Sequence, residues 1–304
     1  MGLGNMFSSR TRLKRLREKG NIKALCKAAT KRKNETVWMA AVDHLLELGS
    51  EVDWAQLFNR LTLEKQNYCV NMLIHRLAIP VYKEDSLNIL KKIGEAAVAA
   101  AIDMFYQHVN TIRTTKDFEK LQSWLEELLN IIIYCKSPGT TKLFIQIYED
   151  TPNQDVRYMV LEHMGRLGDG QAIDFIKKQL CDELIFTRMA AIRALGLTGN
   201  PEVVPMILDE LQKNSDNLSY IKSCLEALTN IGDMRSVKVL VSYLHDDIGY
   251  ILKDKIVKAL LRSPLIETED IESWLKSDIF YELQEILIRA IVEGEHAERI
   301  SEHI

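Results

Sequence analysis

Arg157, Arg188, Lys222 and Lys255 recur at intervals of 31, 34 and 33 residues. Cations spaced so evenly can do one of two things. Along one line they would track successive phosphates; otherwise each pairs with a turn or cap acid of its own or the adjacent unit, and that plainer reading is preferred. The other side chains capable of chemistry are scattered. The histidines (His44, His75, His108, His163, His245, His296 and His303) include no His-x-x-x-His ligand spacing. Cys26, Cys69, Cys135, Cys181 and Cys224 are odd in number, with no Cys-x-x-Cys pair, so the expectation is buried reduced thiols rather than zinc or a disulfide framework. There is no Gly-x-Ser-x-Gly elbow and no phosphate-binding glycine loop. No catalytic residue, metal ligand or cofactor site is assigned.

The elements that would position these side chains repeat with them. Three stretches read alike: DVRYMVLEHMGRLGDGQAIDFIKKQL from Asp155, TRMAAIRALGLTGNPEVVPMILDEL from Thr187, and SYIKSCLEALTNIGDMRSVKVLVSYL from Ser219. Their turn glycines, Gly168, Gly199 and Gly232, lie 31 and 33 residues apart. Self-similarity at this period marks stacked supersecondary units. Each unit reads as two amphipathic helices. In the second, Met189, Ile192 and Leu195 give a bulky face and Ala190, Ala191 and Ala194 a small one. Gly165 and Gly196 sit inside first helices, where glycine costs about 1 kcal/mol against alanine; a repeated glycine there implies close backbone approach between neighbouring helices. Gly168-Asp169, Gly199-Asn200-Pro201 and Gly232-Asp233 supply left-handed C-caps followed by N-caps. Outward the pattern decays. A unit turns at Gly49, three helical patterns over 64–109 break at Ile79-Pro80 and Gly94, residues 110–116 read as an irregular connection, and an unusually long helix precedes a turn at Ser137-Pro138-Gly139. No strand alternation is present.

These units resemble HEAT repeats of the short type found in phycobilisome-lyase-like proteins. The resemblance rests on Asp155-Val156-Arg157, Gly165 and Gly168-Asp169; on Arg188, Ala194-Leu195-Gly196 and Gly199-Asn200-Pro201; and on Lys222, Ala227-Leu228 and Ile231-Gly232-Asp233. It implies an all-α, right-handed α-solenoid of about eight helix pairs. Residues 1–33 would form a basic N-terminal cap, 34–149 divergent repeats, 150–262 regular repeats and 263–304 an acidic C-terminal cap. The resemblance also implies first helices on the convex face and second helices lining the concave face. Most members of the family are protein-binding scaffolds, and the polar positions of the second helices (Lys177, Lys178, Asp209, Glu210, Lys238 and Tyr243) become candidate partner contacts. A metal hydroxylase of this fold class would carry repeated His-Glu pairs, and this chain has no His-Glu dipeptide. A HEAT-like alkylpurine glycosylase would need a basic groove with Trp and Asp, which the acidic balance disfavours. Trp38, Trp54, Trp124 and Trp274 are read as packing or groove lining.

The net charge of −4 conceals an uneven distribution. Residues 1–33 hold 11 Lys/Arg (Arg10, Arg12, Lys14, Arg15, Arg17, Lys19, Lys23, Lys27, Lys31, Arg32 and Lys33) against one acid, while residues 265–304 hold 11 acids against three bases. In a stack, sequence order is spatial order, so a charge dipole is expected. It permits head-to-tail self-association. The basic patch is first of all a solvated cap; an acidic protein, an anionic membrane or nucleic acid are its possible ligands. With 47% apolar residues but no run near the roughly 18–20 needed for a span, and no signal-type apolar start, the expected setting is cytoplasmic. Met6 stands where a myristoylation pattern wants Ser or Thr. The function expected is a non-enzymatic scaffold binding a protein partner, with a chromophore-lyase-like subunit or a nucleic-acid binder as alternatives.

Overall fold

The computed structural model describes residues 3–77, 79–109, 111–112, 114–135, 139–244 and 246–261, together with Ile286 and Arg289. Most of the proposed acidic C-terminal cap, Trp274, and Ser137-Pro138 of the expected turn therefore lie outside the described residues, as do the side chain of Arg10 and His245. The described residues are helical with no strand, as the repeat requires. They divide into two compact units, residues 1–157 and 158–304.

The first unit begins with α1 (Leu3–Glu18), α2 (Ile22–Lys31), α3 (Glu35–Glu47) and the short α4 (Trp54–Phe58). It continues through α5 (Leu63–Leu77), α6 (Pro80–Ile93), α7 (Glu95–Val109), α8 (Thr115–Tyr134) and α9 (Thr140–Asp150), and ends within α10 (Gln154–Leu167). Four helix starts are capped by side chains. Asn21, Asn34, Asp53 and Thr114 are N-caps whose side chains accept from the backbone N–H three residues on. The breaks read from the sequence fall as expected. Pro80 opens α6 and Gly94, at φ +63°, closes it. The connection before α8 is shorter than expected, because Thr114 caps a helix beginning at Thr115. Within the unit α1 and α2 pack on α3, and α5 packs on α6 and α7. Trp54, Phe58, Leu73, Ile89, Leu90 and Phe105 are among the largest buried side chains.

The second unit contains the rest of α10, then α11 (Gly170–Lys178), α12 (Ile185–Leu197), α13 (Val204–Lys213), α14 (Leu218–Ile231), α15 (Val237–Tyr243) and α16 (Tyr250–Leu261). First helices stack directly, α12 on α14 and α14 on α16. The two faces read for α12 are both covered: Ile192 and Leu195 are buried, and so are Ala190, Ala191 and Ala194. A helix packed on two sides is apolar nearly all round.

The interior glycines mark the tightest approach. A Cβ at Gly196 would lie 2.5 Å from Ala227 Cα, and one at Gly165 would strike the Ala194 carbonyl, 2.9 Å from its carbon. Gly168, Gly199 and Gly232 all sit at positive φ, and the residue after each one caps the next stretch of helix. Asp169 accepts from Ala172 N at 2.8 Å to start α11. Asn200 and Asp233 instead cap short 3₁₀ turns, Pro201–Val203 and Met234–Ser236, that lead into α13 and α15. Beyond α16, Ile286 is buried and Arg289 binds Asp254 at 2.8 Å.

Candidate functional site

Three of the four repeated cations, Arg157, Arg188 and Lys255, turn out to be framework. Arg157 donates through Nε to the Thr151 carbonyl at 2.9 Å and lies over the Tyr148 ring. Arg188 donates through Nη1 to the Asp182 carbonyl at 2.9 Å and to the Glu183 carbonyl at 3.2 Å. Thr151 is the C-cap of α9, and Asp182 the C-cap of the 3₁₀ turn that extends α11. Each arginine, in the first turns of a helix, thus satisfies carbonyls orphaned at the end of the preceding one. Among the described residues, the expected pairing with an acid is seen for Lys255 alone, which meets Glu226 of the preceding unit at 2.6 Å. Before α14 the work is local, since Asn214, the C-cap of α13, donates its own Nδ2 to Glu210 O at 3.0 Å.

Lys65 does the same work from the interior, and sequence reasoning missed it. It is only 6% exposed. Its Nζ donates to the carbonyls of Ala29 at 2.7 Å, Thr30 at 3.1 Å and Arg32 at 3.1 Å, closing the C-terminus of α2, and it lies 5.4 Å from the Trp38 ring centre. Burial pushes its pKa below the usual lysine value, with Glu64 pulling the other way. Its position as the third residue of a helix was the available signal.

The remaining basic residues of the N-terminus are at the surface. Arg12, Lys14, Arg15, Lys19, Arg32 and Lys33 lie on the outside, and Arg17 is bound to Glu47. Partial burial pushes the Glu47 carboxyl up, but hydrogen bonds from Arg17 and His44 hold it below the ordinary carboxylate range. Lys23, Lys27 and Lys31, four residues apart, occupy one face of α2. With Arg60 they line a groove of about 690 Å³ between α2 and the α4 segment. Ile22, Leu57 and the half-buried Cys26 supply apolar lining, and Glu51 and Asp53 bring opposite charge to the far wall.

The candidate contacts on second helices do not converge. Lys177 and Lys178 end α11, Asp209 and Glu210 lie on α13, and Lys238 and Tyr243 on α15. Lys178, Asp209 and Lys238 are exposed, while Lys177 and Tyr243 are half-buried. Asp209 pairs with Lys213 at 2.6 Å. Glu210 is already engaged: its side chain, 12% exposed, accepts from Tyr220 Oη at 2.7 Å and from Lys213 at 3.2 Å. Burial, then the bond to Glu210, raise the Tyr220 phenol well above its normal range.

An apolar edge in the second unit was not anticipated. Leu184 (49% exposed), Leu218 (50%) and Ile251 (75%) each stand four residues before a basic marker, at the N-terminal ends of the stacked helices α12, α14 and α16. Phe186 (65%) and Tyr250 lie beside them. Asp182, Glu183, Asp216, Asp246 and Asp247 occupy the adjoining loops. Aligning the units on Arg188, Lys222 and Lys255 would have revealed the row.

Among the described residues, His163 and three tryptophans serve packing. His163 is buried, with Nδ1 2.8 Å from Met159 O and Nε2 3.2 Å from Arg166. Trp38 packs edge-on against Tyr68, Trp54 donates to Gly49 O at 2.7 Å, and Trp124 donates to Asn71. Among the described residues no three His, Cys, Asp or Glu side chains are grouped to hold a metal, and no described helix is long and apolar enough to cross a membrane. Cys69 and Cys224 are buried as expected, Cys26 and Cys135 half-buried; Cys181 departs from that expectation and is exposed, because it ends a 3₁₀ turn rather than lining a helix seam.

These stacked pairs, with cap and glycine chemistry returning once per unit, match a known family over α9 to the start of α14. Residues 141–220 match the model for HEAT repeats. The matched stretch takes in Arg157, Arg188, both interior glycines, and Leu184 and Leu218 of the apolar edge. No curated protein matches the chain. Among solved structures, human deoxyhypusine hydroxylase in complex with glycerol is similar at 15% identity and a TM-score of 0.31, over 85% of this chain and 97% of that one.

Proposed function

We propose that this HEAT-repeat chain is a non-enzymatic scaffold that binds a protein partner, and that the apolar edge of the second unit carries the contact. The observation behind the reading is repetition. Single exposed apolar side chains are ordinary, but the same repeat position is apolar and exposed in three successive units. The acids in the adjoining loops favour a partner with apolar anchors and a basic rim. Lys177, Lys178, Asp209, Lys238 and Tyr243 would add polar contacts along the second helices, the face expected to be concave. The repeat signature supports the short, phycobilisome-lyase-like type, and the unpaired thiols support a cytoplasmic setting.

The test is affinity purification from the native source with the wild-type chain and with Leu184→Ser/Leu218→Ser/Ile251→Ser. The wild type should retain a stoichiometric protein that the triple variant loses while its circular dichroism is unchanged. Retention by the variant, or no stoichiometric protein on the wild type, would refute the proposal. A tightly bound chromophore in the purified chain would refute it in favour of a lyase-like assembly factor.

A further inference from the structure

The groove beside α2 belongs to the first unit and is independent of the apolar edge. Its geometry suits an extended or helical acidic segment better than a nucleic-acid backbone. Lys23, Lys27 and Lys31 are spaced one helical turn apart and exposed, and Arg60 lines the same groove from the segment after α4. The lining between is apolar, from Ile22, Leu57 and Cys26. Burial pushes the Cys26 thiol up, with Arg60 pulling it down. Phosphates need a continuous cationic track, and here Glu51 and Asp53 interrupt it. A peptide with carboxylates on one side and apolar side chains on the other satisfies both the lysine row and the apolar lining.

Such a segment is present in the chain itself. Residues 266–275 read IETEDIESWL, with Glu267, Glu269, Asp270 and Glu272 and no base, interleaved with Ile266, Ile271, Trp274 and Leu275. We infer that the α2 groove docks the acidic segment 266–275 of a second copy of this chain. The two surfaces differ, so the contact is heterologous and propagates head to tail unless the rotation closes a ring.

Sedimentation velocity on the full chain tests the assignment. At low ionic strength the mass should rise with concentration, and at about 0.5 M salt, where surface charges are screened, the chain should return to monomer. Lys23→Glu/Lys27→Glu, on exposed positions, should weaken association by about tenfold or more, the scale of two exposed ion pairs converted to repulsions. Glu267→Lys/Glu269→Lys should weaken it likewise, and combining the two pairs should restore it. A synthetic peptide of residues 264–276 should compete. A monomer at every concentration, association indifferent to the lysine pair, or failure of the charge swap to restore it would overturn the inference. So would a single-stranded oligonucleotide that binds the groove and displaces the peptide at lower concentration.

Discussion

Replacing Gly196 by alanine should destabilise the second unit, although alanine is the better helix former. The exchange by itself gains about 1 kcal/mol in a helix interior. Against that gain, the new methyl would lie 2.5 Å from Ala227 Cα and 2.7 Å from Ala227 Cβ. Those atoms belong to the backbone and first side-chain carbon of α14, so no rotamer change relieves the contact and the helices must separate. Overpacking of this kind costs about 1–3 kcal/mol, and a clash with backbone belongs at the upper end. The net expectation is a loss of about 2 kcal/mol. Gly165→Ala should behave alike, since its methyl meets the Ala194 carbonyl. Gly170→Ala is the control: that glycine is likewise helical and without positive φ, but nothing lies within 4 Å of its added carbon. Urea unfolding followed by circular dichroism gives the comparison. Gly170→Ala should match or exceed the wild type while Gly165→Ala and Gly196→Ala unfold at clearly lower urea. An unchanged midpoint for Gly196→Ala would refute the close-approach argument.

Two further outcomes rest on buried groups. Lys65→Met keeps most of the aliphatic volume but leaves three carbonyls at the end of α2 without their donor; with charge-assisted hydrogen bonds contributing roughly 1.5–3 kcal/mol, the first unit should lose about that much in the same urea assay. Thiol labelling of the native chain at neutral pH should modify Cys181 first, because it is exposed, whereas burial pushes Cys135 up to about 11 and Cys69 and Cys224 up to about 12; all five should react in denaturant, which mass spectrometry after digestion would resolve.

The sequence revealed what is local and what repeats. Pro80 and Gly94 bound α6, and Asp169 caps α11, because proline, left-handed glycine and Asx capping are decided by a few neighbouring residues. The close approach at Gly165 and Gly196 was legible for a different reason: a costly residue returning at the repeat period signals a contact between units. The destinations of Lys65 and of the marker arginines were not legible. Charge pairing predicts acids for them, but a fold of short helices creates many orphan carbonyls, and an early-turn cation lies closer to those than to any carboxylate. The bond from Tyr220 of α14 to Glu210 was not legible either, since a polar position on a second helix suggests solvent.

The arginine markers and the apolar edge are two consequences of one local arrangement. Arg188 grips the carbonyls of Asp182 and Glu183, the two residues immediately before Leu184. Asp182 Oδ1 accepts from Leu184 N at 2.8 Å, tightening the same loop from its other end. The loop that presents Leu184 and Phe186 is therefore held by polar bonds from the Arg188 and Asp182 side chains to its backbone. Before α14 the fixing groups differ, with Asn214 closing the preceding helix and Asn217 capping the next through Tyr220 N at 3.0 Å, yet Leu218 emerges exposed at the same repeat position. An exposed leucine or isoleucine whose loop is fixed by other residues is held in place without a ligand. Pre-ordering lowers the entropy lost on binding, which is why the scaffold reading proposed above places the contact on this edge and treats the dispersed polar positions of the second helices as secondary.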